Sequence, residues 1–148
     1  RRSNTLSGYA YGDKLHYREA MTTGKGLLGR IKAHALFAVT ALGFAVVMNK
    51  RLARFLPKPG EGPKKLDDGG FRITHYGLST TGAVHSTTVT AHGDPGYRVT
   101  SMMLGEAAAV LATEPAGMPE VSGGILTPAT ALGAPYLEAL NAHGMKFT

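Results

Sequence analysis

Three groups of residues in this chain have types and spacings that chemistry could use. Gly24-Lys25-Gly26-Leu27-Leu28-Gly29 spells G-x-G-x-x-G, the pattern that lets a backbone approach a pyrophosphate at a helix start. Six histidines, at 16, 34, 75, 85, 92 and 143, bring metal ligands and proton carriers. Asp94 and Tyr97 set an acid beside a phenol. Each group also has a plainer explanation. The glycine run follows His16-Tyr17-Arg18-Glu19-Ala20-Met21, which is polar and unlike the buried first strand of a parallel sheet. About twenty residues on, where an acid should take a ribose, stands Asn49-Lys50-Arg51. The run reads best as a flexible entry to a helix, whose free N–H groups with Lys25 and Arg30 could at most hold an anion.

The histidines form no H-x-H or H-E-x-x-H and have no nearby pair of acids, so no metal ligand is assigned. His75 and His85 face each other across a hairpin only if its loop has three residues; a two-residue loop sets Tyr76 opposite His85. There is no G-x-S-x-G and no triad spacing. The absence of cysteine excludes disulfides, thiolate nucleophiles and thiolate metal sites. Asp94 is most simply a helix cap. Residue types and spacing therefore leave the catalytic residues unknown and identify no cofactor-binding residue.

The elements that position these groups are organised around residues 71–114. Phe71-Arg72-Ile73-Thr74-His75-Tyr76 and Ala83-Val84-His85-Ser86-Thr87-Thr88-Val89-Thr90 are β-branched and aromatic and predict two strands. Ser79-Thr80-Thr81-Gly82 predicts the turn between them. Gly93-Asp94-Pro95-Gly96-Tyr97 opens a helix, with Asp94 as cap and Pro95 at its first position. Val99, Met102, Met103, Ala107, Val110 and Leu111 make its apolar stripe, and Pro115 and Gly117 end it. Thr127-Pro128 repeats the device for a helix to about Ala142, in two pieces because Pro135 lacks an N–H. His143-Gly144 ends that helix, and residues 145–148 predict a closing strand.

Residues 6–21 predict two short strands with a bend at Gly8 and Gly12. Residues 27–56 hold no proline and predict one long helix, with Gly43 as its kink. Leu56-Pro57-Lys58-Pro59-Gly60-Glu61-Gly62-Pro63 is a breaker run and predicts a loop. These elements imply an α+β fold: a mostly antiparallel or mixed sheet with helices packed on one face.

At 148 residues, 43% hydrophobic and 18% charged, the chain is one domain's worth of globular protein. A net charge of +6 points to an anionic partner. The cations gather around the long helix without interleaved aromatics, which suits a peripheral membrane contact or a solvated helix end and not nucleic acid. Arg1-Arg2-Ser3-Asn4 opens the chain with no Met and no apolar run, suggesting a piece of a longer protein with a cytoplasmic home. The apolar run from Ala35 to Met48 is about 14 residues, short of the ~20 a bilayer core needs, so a core or subunit contact is expected of it, with membrane-surface association as the alternative. Apolar side chains on both strand faces, added to this run, predict a homodimer.

Gly93-Asp94-Pro95-Gly96-Tyr97 with Thr100, Met103 and Glu106-Ala107-Ala108 resembles the late signature of saccharopine dehydrogenase-like oxidoreductases, the group that includes trans-acting enoyl reductases of mycobacteria. Gly123-Gly124-Ile125-Leu126-Thr127-Pro128-Ala129 with Ala131-Leu132-Gly133 is similar to that group's C-terminal segment. Tyr17-Arg18-Glu19, Gly24-Lys25-Gly26 and the proline-rich run at 56–63 extend the likeness colinearly over nearly the whole chain. The resemblance implies that residues 1–148 are a single C-terminal, substrate-side and dimerisation domain. The N-terminal Rossmann domain that binds NAD or NADP would lie outside this chain. On this reading the fragment holds no cofactor and is inactive alone. The alternative is a non-catalytic dimerisation or membrane-surface module built on residues 27–56.

Overall fold

In the computed structural model the described residues are 1–56, 62, 65–121 and 123–148. The loop expected over 56–63 lies almost wholly outside them. The fold is α+β: helices with one three-stranded antiparallel sheet, in the order β1-β2-β3. The chain divides into two compact units, Arg1–Leu15 with Gly62–Thr148, and His16–Glu61.

The larger unit is built on the hairpin of β1 (Gly70–Leu78) and β2 (Val84–His92), paired from Gly70↔His92 to Leu78↔Val84. Both strands are longer than the sequence suggests, and the loop between them has five residues. Ser79 fastens it: its amide donates to the Ala83 carbonyl at 2.9 Å, and its Oγ accepts from the Ala83 amide at 3.0 Å. Gly82, at φ +84°, supplies the left-handed position there. On the centre of the ladder Thr74 and Thr88 bring their hydroxyls to 3.2 Å. The closing strand is observed as β3 (Lys146–Phe147), with Val89↔Phe147 and Thr90↔Lys146.

Asp94 acts one turn earlier than expected. Its Oδ1 accepts from the Tyr97 amide at 2.7 Å and its carbonyl from the Val99 amide at 3.0 Å, so Pro95-Gly96-Tyr97 is a capped turn. The helix proper, α4, then runs Arg98–Thr113 and ends on Glu114 in the left-handed region. In the predicted stripe Val99 and Val110 are buried and Met102, Met103 and Ala107 half-buried, but Leu111 is exposed. The stripe needs a partner, and α6 (Gly133–Ala142) packs on α4 with Leu132 and Leu140 buried and Tyr136 Oη donating to the Met103 carbonyl at 2.8 Å.

The two-piece helix is also observed, but the break lies at Leu132 and Gly133 (φ +58°), and Pro135 sits inside the first turn of α6, where a missing N–H costs little. The first piece, α5 (Pro128–Ala131), starts as predicted at Thr127, whose amide donates to Thr130 Oγ1 at 3.1 Å.

The strands expected over residues 6–21 do not form. Arg2–Leu6 is a short helix, α1, and buried Asn4 organises the turn after it: its Nδ2 donates to the Gly12 carbonyl and its Oδ1 accepts from the Tyr11 amide, both at 2.8 Å. A side chain that satisfies the backbone locally competes with strand pairing. Ser3 Oγ and Thr127 Oγ1, 3.0 Å apart, tie α1 to the start of α5.

The second unit is helical. α2 (Gly26–Met48) is unbroken through Gly43, so the expected kink is absent there. The break falls at Asn49, whose Oδ1 accepts from the Arg51 amide at 3.0 Å and starts α3 (Lys50–Ala53). Asparagine competes with the helix for its own backbone and favours a cap. Most apolar side chains of α2 are exposed.

Candidate functional site

In the larger unit a half-open concavity of about 510 Å³ lies where β2 hands over to α4. Its lining comes from three parts of the chain: Asp67 before the sheet, residues 91–102 across the strand–helix junction, and His143 with Gly144 after α6. The junction can bend this sharply because Gly93 takes φ +95°, and a Cβ there would meet Arg98 Cδ at 2.9 Å and the Leu66 carbonyl at 3.2 Å. Backbone bonds then bring the preceding segment in: the Asp94 amide donates to the Leu66 carbonyl at 2.8 Å and the Gly93 amide to the Gly69 carbonyl at 3.0 Å. Arg98 completes the closure with Nη1 at 2.8 Å from Asp67 Oδ1. Both side chains remain largely exposed, so the pair contributes little stability and its cation stays available to a ligand.

The far wall carries a second pair. His143 Nδ1 lies 3.2 Å from Glu106 Oε1 and 3.0 Å from the Ala139 carbonyl. The hydrogen bond of Nδ1 goes to the Ala139 carbonyl, with the Glu106 carboxylate lying beside it. Glu106 is the more shielded partner, and its charge also reaches Tyr136. Burial first, and then that carboxylate, push the Tyr136 phenol above its usual value. The concavity therefore offers a guanidinium, a carboxylate-held imidazole, the His92 imidazole at the end of β2, and an apolar floor that includes Val99 and Met102. Such a set can bind a polar or anionic head beside an apolar chain and can exchange a proton with it.

The residues singled out by spacing are not the ones gathered here. His85 pairs with Gly77, and His75 with Thr87, because the five-residue loop shifts the register; the two histidines are diagonal on one face and not opposed. Asp94 is engaged in the turn, and Tyr97 is exposed. Gly24, Gly26 and Gly29 lie in the other unit, and residues 15–24, which precede α2, have no regular structure. Gly29 is buried, and a Cβ on it would collide with the Gly24 carbonyl, while Thr23 Oγ1 donates to the Gly29 carbonyl at 3.0 Å. These glycines fold a loop back onto the start of a helix. Among the described residues no group of three or more histidines and acids could hold a metal. Arg98, His92 and His143 carry no sequence signal of their own. The one usable hint was the Gly-Asp-Pro-Gly junction at 93–96, since strand-to-helix turns often present functional groups.

No family model matches the chain, and no solved structure matches it. Curated proteins do. The chain is 35% identical to a protein named trans-acting enoyl reductase from Mycobacterium ulcerans, over 98% of this chain and 36% of that one. A trans-acting enoyl reductase of Mycobacterium tuberculosis is 34% identical over the same shares, and a second protein of that species, provisionally given the same name, is 35% identical. The chain spans about a third of the length of the curated relatives it matches. Over nearly all of its own length it is similar to an enoyl reductase-like group of oxidoreductases.

Proposed function

We propose that this chain is the C-terminal, substrate-side part of an NAD(P)-dependent, saccharopine dehydrogenase-like enoyl reductase. The observation that carries the proposal is the colinear similarity to trans-acting enoyl reductases over 98% of the chain. The match to only 36% of their length leaves room for a nucleotide-binding domain elsewhere in a longer protein. Enoyl reduction places hydride and proton across a double bond conjugated to a carbonyl, and a nicotinamide would supply the hydride when bound. This chain's own residues supply the acyl side. Val99 and Met102 give the apolar wall, Arg98 meets the polar head, and His143, backed by Glu106, sets an imidazole near it. Subunit contacts in a homodimer belong to the exposed end of the hairpin.

The test is a longer protein that contains this chain, given reduced nicotinamide nucleotide and an enoyl thioester and followed by loss of the reduced-nicotinamide absorbance. Enoyl-dependent oxidation is expected. Arg98→Ala should raise KM by about tenfold with kcat little changed, the pattern of lost head-group binding. A protein that binds the nucleotide and leaves every enoyl thioester intact would refute the proposal. For this chain alone, calorimetric titration with NAD(P)H should show no binding.

A further inference from the structure

We propose that α2 is a monotopic membrane anchor, immersed in one leaflet of an anionic phospholipid bilayer with both of its ends at the headgroups. The proposal rests on the residues of the His16–Glu61 unit and on chain connectivity, and not on the enoyl reductase reading.

Helix α2 has the length and apolar composition of a membrane-crossing helix, since its 23 residues outrun the 14-residue run seen in sequence. Its apolar side chains do not form one stripe. At about 100° per residue, Leu27 and Leu36 stand on opposite sides of the axis, with Phe37, Leu42 and Phe44 spread between them. Phe37 is 76% exposed, Leu42 66% and Phe44 70%. A groove on another protein, or a second copy, covers one stripe of a helix, whereas a helix apolar all round needs cover on every side. Lipid supplies it. The polar side chain within the Ala35–Met48 run is Thr40, whose Oγ1 donates to the Leu36 carbonyl at 2.8 Å, and at its border His34 Nδ1 lies 2.8 Å from the Arg30 carbonyl. That is the arrangement hydrocarbon demands.

Charge identifies the lipid. Lys25, Arg30 and Lys32 stand at one end and Lys50, Arg51 and Arg54 at the other, and the sequence holds no Asp or Glu from Ala20 to Gly60. Arg54 also lies over the Phe55 ring, at 4.8 Å from its centre, an amphipathic pair suited to the headgroup layer. Two basic ends complement anionic headgroups, and the long stems of Lys and Arg reach back to that layer.

Connectivity decides against a span. The segments before and after this unit, Arg1–Leu15 and Gly62–Thr148, belong to the same compact unit, joined by Ser3 to Thr127 and by Arg2 to the Ile125 carbonyl. Both ends of α2 must therefore emerge on one side of the bilayer. A single helix cannot cross and return, and the 16–25 segment has no helix to carry it back through hydrocarbon. The unkinked helix lies along one leaflet, deeper than an amphipathic surface helix, and the Lys and Arg at its ends reach the interface.

The experiment uses vesicles of phosphatidylglycerol and phosphatidylcholine and the chain without detergent. The chain should float with the vesicles and stay with them through a high-salt wash. Leu42→Arg, which puts a charge in the apolar middle, should lower the floated fraction at least about tenfold. The chain has no native cysteine, so Lys25→Cys and Arg54→Cys each create a single label site. An impermeant maleimide added outside sealed vesicles should label both. Labelling of one site alone would mean a span and overturn the proposal. Release of the chain by salt, flotation unchanged in Leu42→Arg, or a detergent-free dimer that Leu42→Arg dissociates would overturn it as well.

Discussion

Tyr136 joins two helices through one hydroxyl, and its ionisation reports that junction. Burial and the Glu106 carboxylate raise its pKa above the usual 10.0. As pH climbs past that value, the unfolded phenol loses its proton before the folded one, so the unfolded chain binds fewer protons and stability falls. The stabilisation is fully present below the unfolded pKa and is lost as pH rises through the folded one. Tyr136→Phe should cost about 1 kcal/mol at neutral pH, the usual worth of a partly buried hydrogen bond. It should also flatten the decline in stability above about pH 10. Urea unfolding at neutral and alkaline pH checks both; an unchanged alkaline slope in the variant would assign that slope to other groups.

At the scale of elements, starts and stops are set by single residues whose side chains or φ angles compete with the helix. Asp94→Ala should destabilise by about 0.5–2 kcal/mol, because the Tyr97 amide loses its acceptor. Asp94→Asn should be nearly neutral, since an amide oxygen accepts as well. Thermal melts of the two variants decide the matter, and an Asn variant as damaged as the Ala variant would show that the charge counts and not the cap. Gly133 separates α5 from α6 at φ +58°, and a Cβ there would lie 2.9 Å from Cδ and Cγ of Pro119. Gly133→Ala should therefore cost more than the ~1–2 kcal/mol of a left-handed backbone alone, because a proline ring cannot swing away. Gly43→Ala is the control: mid-helix, with nothing within 4 Å of the added Cβ, it should stabilise by roughly 0.5–1 kcal/mol. Equal effects of the two in denaturant titrations would remove the role given to Pro119.

For the whole molecule, the small core is the governing fact. Among the described residues Val99, Val110, Leu132, Leu140 and Met145 are the buried hydrophobic ones, while the hairpin leaves Ile73, Tyr76, Leu78 and Val84 at least half exposed. Among the described residues β1 is also an edge strand of the sheet. Tyr76, Leu78 and Val84 share one face of the sheet, and a two-fold partner laid on that face covers them together. The proposed homodimer should therefore survive Leu42→Arg in α2 and dissociate on Tyr76→Lys with Leu78→Lys. Light scattering coupled to gel filtration measures both, and a monodisperse monomer of the unsubstituted chain would refute the dimer.

Local chemistry was legible in the sequence because it acts over a few residues. The strand cores at 71–76 and 83–90, the Thr127-Pro128 start, the glycine stop at 144 and the closing strand all arise from propensity, capping and left-handed glycine. The α+β class comes from their order. The hairpin register was not legible, since it depends on how Ser79 binds Ala83 across five residues, and the register separates His75 from His85. Nor was the role of Asn4, whose partners at Gly12 and Tyr11 exist only once the turn has closed. The candidate site was the least legible part. Asp67, Arg98 and His143 are far apart in sequence, and it is the Gly93 turn, the α4–α6 packing and the β2–β3 pairing that gather them. The sequence showed an apolar run with basic ends. Only the tertiary structure decided where the long helix breaks, at Asn49, and the return of both flanks to one compact unit.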